Sequence, residues 1–193
     1  MSLDRTIVFK TERLVVRLMT EQDVDLIYDL WTDPRVMTYV GFPKGLRITR
    51  EQILERHLNT KKDAFEQLLI IELEKSGQAI GHCKMARPNE EGVVDPDVKL
   101  LPAFWGHKYG AEVWQAMVDY AFTHTDCQIV YGSPNVENAA SIKMMEATGA
   151  VRVDESVYEF PEAMKAFTTP VHCYIYHLAR ADWERGKAGQ RSP

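Results

Sequence analysis

The stretch Leu100-Leu101-Pro102-Ala103-Phe104-Trp105-Gly106-His107-Lys108-Tyr109-Gly110-Ala111-Glu112 constrains the fold more than any other part of the chain. Apolar residues bring it in as the end of a strand. A proline and two glycines turn it. Trp114, Met117, Val118 and Ala121 then mark the stripe of an amphipathic helix. A strand that enters a helix through a glycine turn leaves the first helical N–H groups free and aims the positive end of the helix dipole at one point. That arrangement suits an anion, most often a phosphate. The N–H groups from His107 to Ala111 can converge on a pyrophosphate. Gly106 and Gly110 stand where the backbone must come close, and Lys108 offers a charge. The same glycines would also serve a tight strand-to-helix connection that binds nothing.

The rest of the chain arranges itself around this turn. Residues 1–5 read as a loose end, followed by extended runs at 7–10 and 14–18. Thr20 with Asp23 opens a helix through Val24, Ile27, Tyr28 and Trp31, which should stop near Asp33 because Pro34 disfavours helix before it. Residues 36–47, with Gly41, Pro43 and Gly45, read as a loop. Thr49 with Gln52 opens a second helix, one face of which carries Ile53, Leu54, His57 and Leu58. Apolar runs at 67–74, 79–86 and 93–101, joined by short turns, predict an antiparallel meander. A helix then separates the last run from a short strand at 128–131. This spacing implies a parallel, right-handed crossover between the two. Asn138 caps a further helix containing Ile142, Met144 and Met145, and Gly149 ends it. Runs at 151–157 and 171–178 form a final strand pair joined by a long connection at 159–170, expected beside an acceptor site with the 36–47 loop. The polar residues 187–193 are expected to be disordered. No repeat or linker divides residues 1–193, so one domain with a core over 8–184 is expected.

Composition excludes several functions. The 193 residues carry a net charge of -5, which argues against a general nucleic-acid binder. No apolar run approaches the roughly 20 residues of a membrane span. No signal-peptide pattern opens the chain, so a cytoplasmic location is expected. Cys83, Cys127 and Cys173, odd in number and each in an apolar run, read as reduced and buried thiols. No metal site is expected.

Taken in order, a strand, Pro102-x-x-Trp105-Gly106-x-x-Tyr109-Gly110-Ala111-Glu112, a helix, a strand, Asn138-x-x-Ser141 and Met144-Met145-Glu146-x-x-Gly149-Ala150 resemble the GNAT N-acetyltransferase superfamily. The pattern is most similar to the branch of ribosomal-protein N-terminal acetyltransferases. Thr11-Glu12-Arg13-Leu14, Asp33-Pro34 and the closing Tyr176-His177-Leu178-Ala179-Arg180-Ala181-Asp182-Trp183 add to it. The resemblance implies a single α/β domain with a mixed, mostly antiparallel sheet, helices on both faces and a cofactor cleft between splayed parallel strands. It implies acetyl-CoA as donor and a primary amine, of a protein N-terminus or a small molecule, as acceptor. The superfamily's phosphate motif, Gln/Arg-x-x-Gly-x-Gly/Ala, falls on Trp105 to Gly110 and puts Lys108 where an inner glycine is usual.

The resemblance further implies that the backbone at Lys99 and Leu100 pairs with the pantetheine arm, with an N–H near Leu100 meeting the oxyanion. It places Asn138 and Ser141 beside the arm. Trp105, Gly106, His107, Lys108, Tyr109, Gly110 and Ala111 form the pyrophosphate turn. Asp95 matches the place of a family carboxylate base, with His82 a second candidate; both also read as ordinary structural or exposed residues. Where many members carry a tyrosine that protonates the leaving thiolate, this chain has Met145. The branch uses a serine at the place of Ser141 instead. The alternative is a catalytically weak or inactive CoA-binding module of the same fold. The branch also accommodates homodimers.

Overall fold

A computed structural model describes residues 5–57 and 63–190. Residues 1–4 of the loose end, Leu58 of the second helical face and residues 191–193 of the tail lie outside the described residues. In chain order the elements are β1 (Ile7–Lys10), β2 (Leu14–Leu18), α1 (Val24–Thr32), α2 (Pro34–Met37), α3 (Arg50–His57), β3 (Leu69–Leu73), β4 (Ala79–Lys84), β5 (Val93–Val94), β6 (Asp97–Leu100), α4 (Tyr109–His124), β7 (Ile129–Gly132), α5 (Ala139–Ala147), β8 (Val151–Tyr158), β9 (Val171–Ala179) and α6 (Arg180–Gln190).

The strands form two hydrogen-bonded sheets, β1-β2-β3-β4-β6 and β5-β7-β9-β8. The first is antiparallel throughout; in the second only β5 and β7 run parallel. The expected third run at 93–101 is therefore two strands. Val93–Val94 pairs with β7, and Asp97–Leu100 pairs with β4. Asp95 and Pro96 make the break, because proline has no N–H for a ladder. The parallel crossover holds for β5 and β7 only. Beyond the break β6 and β7 part, and the fork between them is the cleft.

Helix α4 joins the sheets. Its Val113 and Met117 pack with Leu14, Val16, Leu69, Ile71 and Cys83 of the first sheet and with Met85 just past β4. Its Trp114, Val118, Ala121 and Phe122 pack with Val94, Val130, Tyr176 and Leu178 of the second. The other face of the first sheet carries Ile70, covered by Ile27 of α1 and Ile53 of α3. That two-sided burial explains the unbroken apolar sequence of β3.

Two local expectations change. Residues 36–40 are helical rather than loop. Asp33 caps α2 by accepting the Arg35 N–H at 2.8 Å, and Pro34 sits at its first position. A 3-10 turn over Thr38–Val40 then ends at Gly41, whose φ is 88°. The tail also differs, since α6 runs to Gln190. Trp183 donates to Asp119 at 2.7 Å and Lys187 pairs with Asp119 at 2.8 Å, so polar residues that lack a hydrophobic stripe are anchored to α4.

Arg180 closes the far end of α4. Its guanidinium donates to the carbonyls of Cys127, Phe122 and Thr125 at 2.7, 2.9 and 2.8 Å. These charge-assisted bonds satisfy the C-terminal carbonyls and oppose the negative end of the dipole. Arg180→Ala is expected to cost about 2–3 kcal/mol, read as a lower thermal midpoint with an unchanged fold by circular dichroism.

Candidate active site

The geometry is set where β6 ends. The N–H of Leu101 donates to Ile80 of β4 at 2.9 Å. Antiparallel strands alternate the direction of their polar groups. Val98 and Leu100 therefore turn their N–H and C=O groups away from β4, toward the fork, while Lys99, paired with His82, turns its own toward β4. The open-edge backbone expected of Lys99 and Leu100 together belongs to Leu100 and to Val98, a residue the sequence did not single out. The side chain of Lys99 forms an ion pair with Asp97.

Past Leu100 the chain makes a 3-10 turn at Pro102–Phe104 and reaches the glycine turn. Trp105, 45% exposed, donates its indole N–H to the Leu100 carbonyl at 2.8 Å, so it lies along the open edge. Gly106 has φ 79°, and an added Cβ would meet nothing within 4 Å; its glycine is required by conformation alone. His107 stacks on Tyr109, with ring centroids 5.6 Å apart. Lys108 has φ 63° and is the single non-glycine residue with positive φ among those described. It precedes α4, whose first backbone bond runs from the Glu112 N–H to the Lys108 carbonyl at 3.1 Å. The N–H groups of Tyr109, Gly110 and Ala111 are thus the free donors of the helix start. A Cβ on Gly110 would meet Leu100 and Met144 only at an ordinary 3.8 Å. Its protein neighbours do not demand glycine there, which leaves the space before it for a group approaching from outside.

The positive φ of Lys108 gives the physical reason a glycine is usual at that place. A lysine there bears a backbone cost of about 1–2 kcal/mol. Lys108→Gly is expected to raise stability by about 0.5–1 kcal/mol, after allowing for the extra freedom of glycine in the unfolded chain. It should also leave affinity for a phosphate-bearing ligand at the helix start intact or improved, measured by calorimetry. A marked loss of affinity would make the ammonium a phosphate ligand.

On the other side of the cleft, Asn138 accepts the Ser141 N–H at 3.1 Å and so caps α5. The half-buried Ser141 hydroxyl makes no hydrogen bond to the described residues. Met145 is buried against Gly132, whose added Cβ would lie 2.4 Å from the methionine methyl. Asp95 stands at the fork itself, solvent-exposed beside Tyr131 of β7. Desolvation by the surrounding protein, then the negative charge of Asp97, pushes its carboxyl up to about 6, against the opposing charges of Lys84 and Lys99. Burial also works to raise Asp97, but the Lys99 ammonium outweighs it and holds that group low. His82 is 1% exposed and accepts the Trp31 indole N–H on Nε2 at 2.9 Å. Burial, then Lys99, pushes it down to about 3, so it stays neutral, with its Nε2 lone pair engaged by Trp31.

The two connections expected beside the acceptor touch each other. The Thr169 N–H donates to the Gly41 carbonyl at 2.9 Å, and Phe42 meets Phe160 edge-on at 5.3 Å. Cys83, Cys127 and Cys173 are buried and free, and burial raises all three thiols. Among the described residues no group of His, Cys, Asp and Glu is placed to hold a metal, and no helix is long and apolar enough to cross a membrane.

The family model for the acetyltransferase (GNAT) domain matches residues 13–151, from the strand before α1 to the start of β8. The chain belongs to the GNAT acetyltransferase family. A curated relative in this family, the uncharacterized N-acetyltransferase p20 of Bacillus licheniformis, is 24% identical over 139 residues, 71% of this chain and 78% of its own. The ribosomal-protein-S5-alanine acetyltransferase of Vibrio fischeri has a similar structure, with TM-score 0.72 at 17% identity over 91% of this chain and 97% of its own. The spermidine N-acetyltransferase of Vibrio cholerae, solved with CoA and spermine, gives TM-score 0.71 at 17% identity, covering 90% and 99%. Likeness at these identities shows the GNAT fold. Two enzymes with different acceptors fit it equally well, so the fold does not choose the acceptor of this acetyltransferase.

Proposed function

We propose that this acyltransferase moves the acetyl group of acetyl-CoA to a primary amine by direct attack in the fork between β6 and β7. One continuous feature carries the reading. The open edge of β6 leads straight into the free N–H groups of Tyr109, Gly110 and Ala111, with the raised carboxyl of Asp95 at the other end. The edge offers a ladder for an extended amide-bearing arm, and the helix start offers donors to its pyrophosphate.

In this reading Asp95 takes a proton from the acceptor ammonium, directly or through one water, and the neutral amine that remains attacks. The amine nitrogen forms a bond to the thioester carbonyl carbon, and the C–S bond breaks. The N–H of Val98, one ladder step nearer Asp95 than that of Leu100, meets the developing oxyanion. The N–H of Leu100, whose carbonyl is held by the Trp105 indole, is then left to pair with the arm. The Ser141 hydroxyl donates a proton to the leaving thiolate and is restored by the second proton, which the nitrogen sheds as the amide forms. An α-amine, with a pKa of about 7.7–8.0, needs little help from a base poised near 6, whereas a lysine side chain at about 10.4 needs far more. The chemistry therefore favours an α-amine or another amine of lowered pKa. An open groove of about 880 Å³ between the end of α1 and Leu101–Ala103 is lined by the paired Asp33 and Arg35 and by the exposed Asp29, whose carboxylate is the one left to favour an acceptor with further positive charge.

The test is acetyl-CoA consumption against a panel of N-terminal peptides, polyamines and aminoglycosides, with CoA binding measured by calorimetry. Turnover on one class identifies the acceptor. Absence of CoA binding at millimolar concentration sinks the reading. Binding with no turnover on any amine would mark a cofactor-binding module, the outcome that Met145, in the place of an acid, would otherwise suggest.

A further inference from the structure

The geometry points to Arg13 as the positioning residue that holds the pyrophosphate turn in its binding shape. This inference rests on the cofactor reading above. Arg13 lies in the β1–β2 turn, 94 residues from His107, yet its guanidinium donates to the His107 carbonyl at 3.2 Å. The same guanidinium binds the Glu112 carboxylate, with Nε donating at 2.6 Å, and lies 4.7 Å from the centre of the Tyr109 ring. Glu112 also accepts the Arg13 N–H at 2.9 Å and the Thr11 hydroxyl. Burial works to raise Glu112, but these donors outweigh it and hold it ionised.

The strained residue sits between these two grips. Rotation about φ of Lys108 swings the peptide plane that carries the His107 carbonyl, so fixing that carbonyl fixes φ at 63°. The Lys108 carbonyl is held in turn by the N–H of Glu112, whose side chain returns to Arg13. A lysine left alone would leave the left-handed region, with a bias of about 1–2 kcal/mol. Its exit would reorient the N–H groups that face the ligand. Arg13 also neutralises Glu112, a carboxylate that otherwise stands in the first turn of the anion-binding helix end.

The experiment is a double-mutant cycle on the full chain, read as KM and Kd for acetyl-CoA and as hydrogen exchange without ligand at the Glu112 amide, which is bonded to the Lys108 carbonyl. Arg13→Ala is expected to raise KM about tenfold with kcat changed less than twofold, and to speed exchange at the turn. In the Lys108→Gly background, where the left-handed conformation carries no bias, the same replacement should raise KM only two- to threefold. Arg13→Lys keeps the charge but loses the planar fork, and should behave like Arg13→Ala. Equal effects of Arg13→Ala in both backgrounds would overturn the positioning role, as would full rescue by lysine. If the unaltered protein binds no acetyl-CoA, the cofactor reading fails. The exchange cycle then still decides the clamp: unchanged exchange in Arg13→Ala at an unchanged melting temperature would overturn it.

Discussion

Asp95→Asn should lower kcat/KM about 100-fold at pH 7 and remove the acidic limb of the pH profile. The limb itself follows from the raised carboxyl. With a folded pKa of about 6, Asp95 is mostly ionised at pH 7 and available as a base. As pH falls through 6 it becomes protonated, and the rate should fall tenfold per unit below that point. The neighbours determine how the limb moves. Asp97 raises Asp95 by charge, while Lys84 and Lys99 lower it. Asp97→Asn removes the negative charge and frees the Lys99 ammonium from its ion pair, so the limb should shift to lower pH. The stability consequence has the opposite sign to that of a carboxylate in a salt bridge. A folded pKa raised above the unfolded value favours the fold at low pH, and that contribution is lost as pH rises through 6. At pH 7 the ionised carboxylate is a burden to the fold that asparagine does not carry. The variant should therefore melt no lower than the unaltered protein. A loss of activity with an unchanged melting temperature would assign Asp95 to the chemistry. A full-rate variant that keeps the limb would move the base elsewhere in the fork.

The parts of this site that were legible in the sequence are those written in local chemistry. The glycine turn, the Asn138 cap, the Gly149 stop with φ 85° and the capping box of Thr20 and Asp23 all depend on residues within a few positions of one another. The fork was half legible. Pro96 lay in the middle of the 93–101 run, but an apolar run that changes partner sheet looks the same as one that does not. The long-range polar contacts were not legible. Arg13 and Arg180 belong to the motifs that carry the family resemblance, yet nothing local shows that they grip the two ends of α4. In the sequence Arg17 is only the one charged position of the extended run at 14–18. It is 6% exposed, bidentate to Asp23 at 2.8 and 2.7 Å and bonded to Glu72 at 2.9 Å. Charged residues reach such burial only in closed networks, and the partners here lie 6 and 55 residues away. The open edge at Val98 and Leu100 depended on ladder parity, which the register with β4 fixes and composition does not.

Ser141→Ala separates chemistry from packing more cleanly than any other change at the site. Its expected effect is a fall in kcat of about 100-fold, with KM for acetyl-CoA little altered. The hydroxyl makes no hydrogen bond to the described residues, and the cap of α5 uses the Ser141 backbone N–H, which alanine retains. Stability should stay within about 0.5 kcal/mol. Asn138→Ala supplies the contrast. It removes the acceptor of that N–H, should cost about 1 kcal/mol, and should act on KM through the placement of α5. The pH dependence gives a second discriminant. A free thiol has a pKa of about 8.5, so the leaving thiolate needs a donor most at neutral pH and progressively less above that value. The defect of Ser141→Ala should shrink as pH rises from 7 to 9. The buried Met145 has no proton to give and cannot cover the loss. A Ser141→Ala protein that turns over at the full rate at pH 7 would show that water protonates the thiolate. The serine would then be a residue in the first turn of α5 with no part in the chemistry.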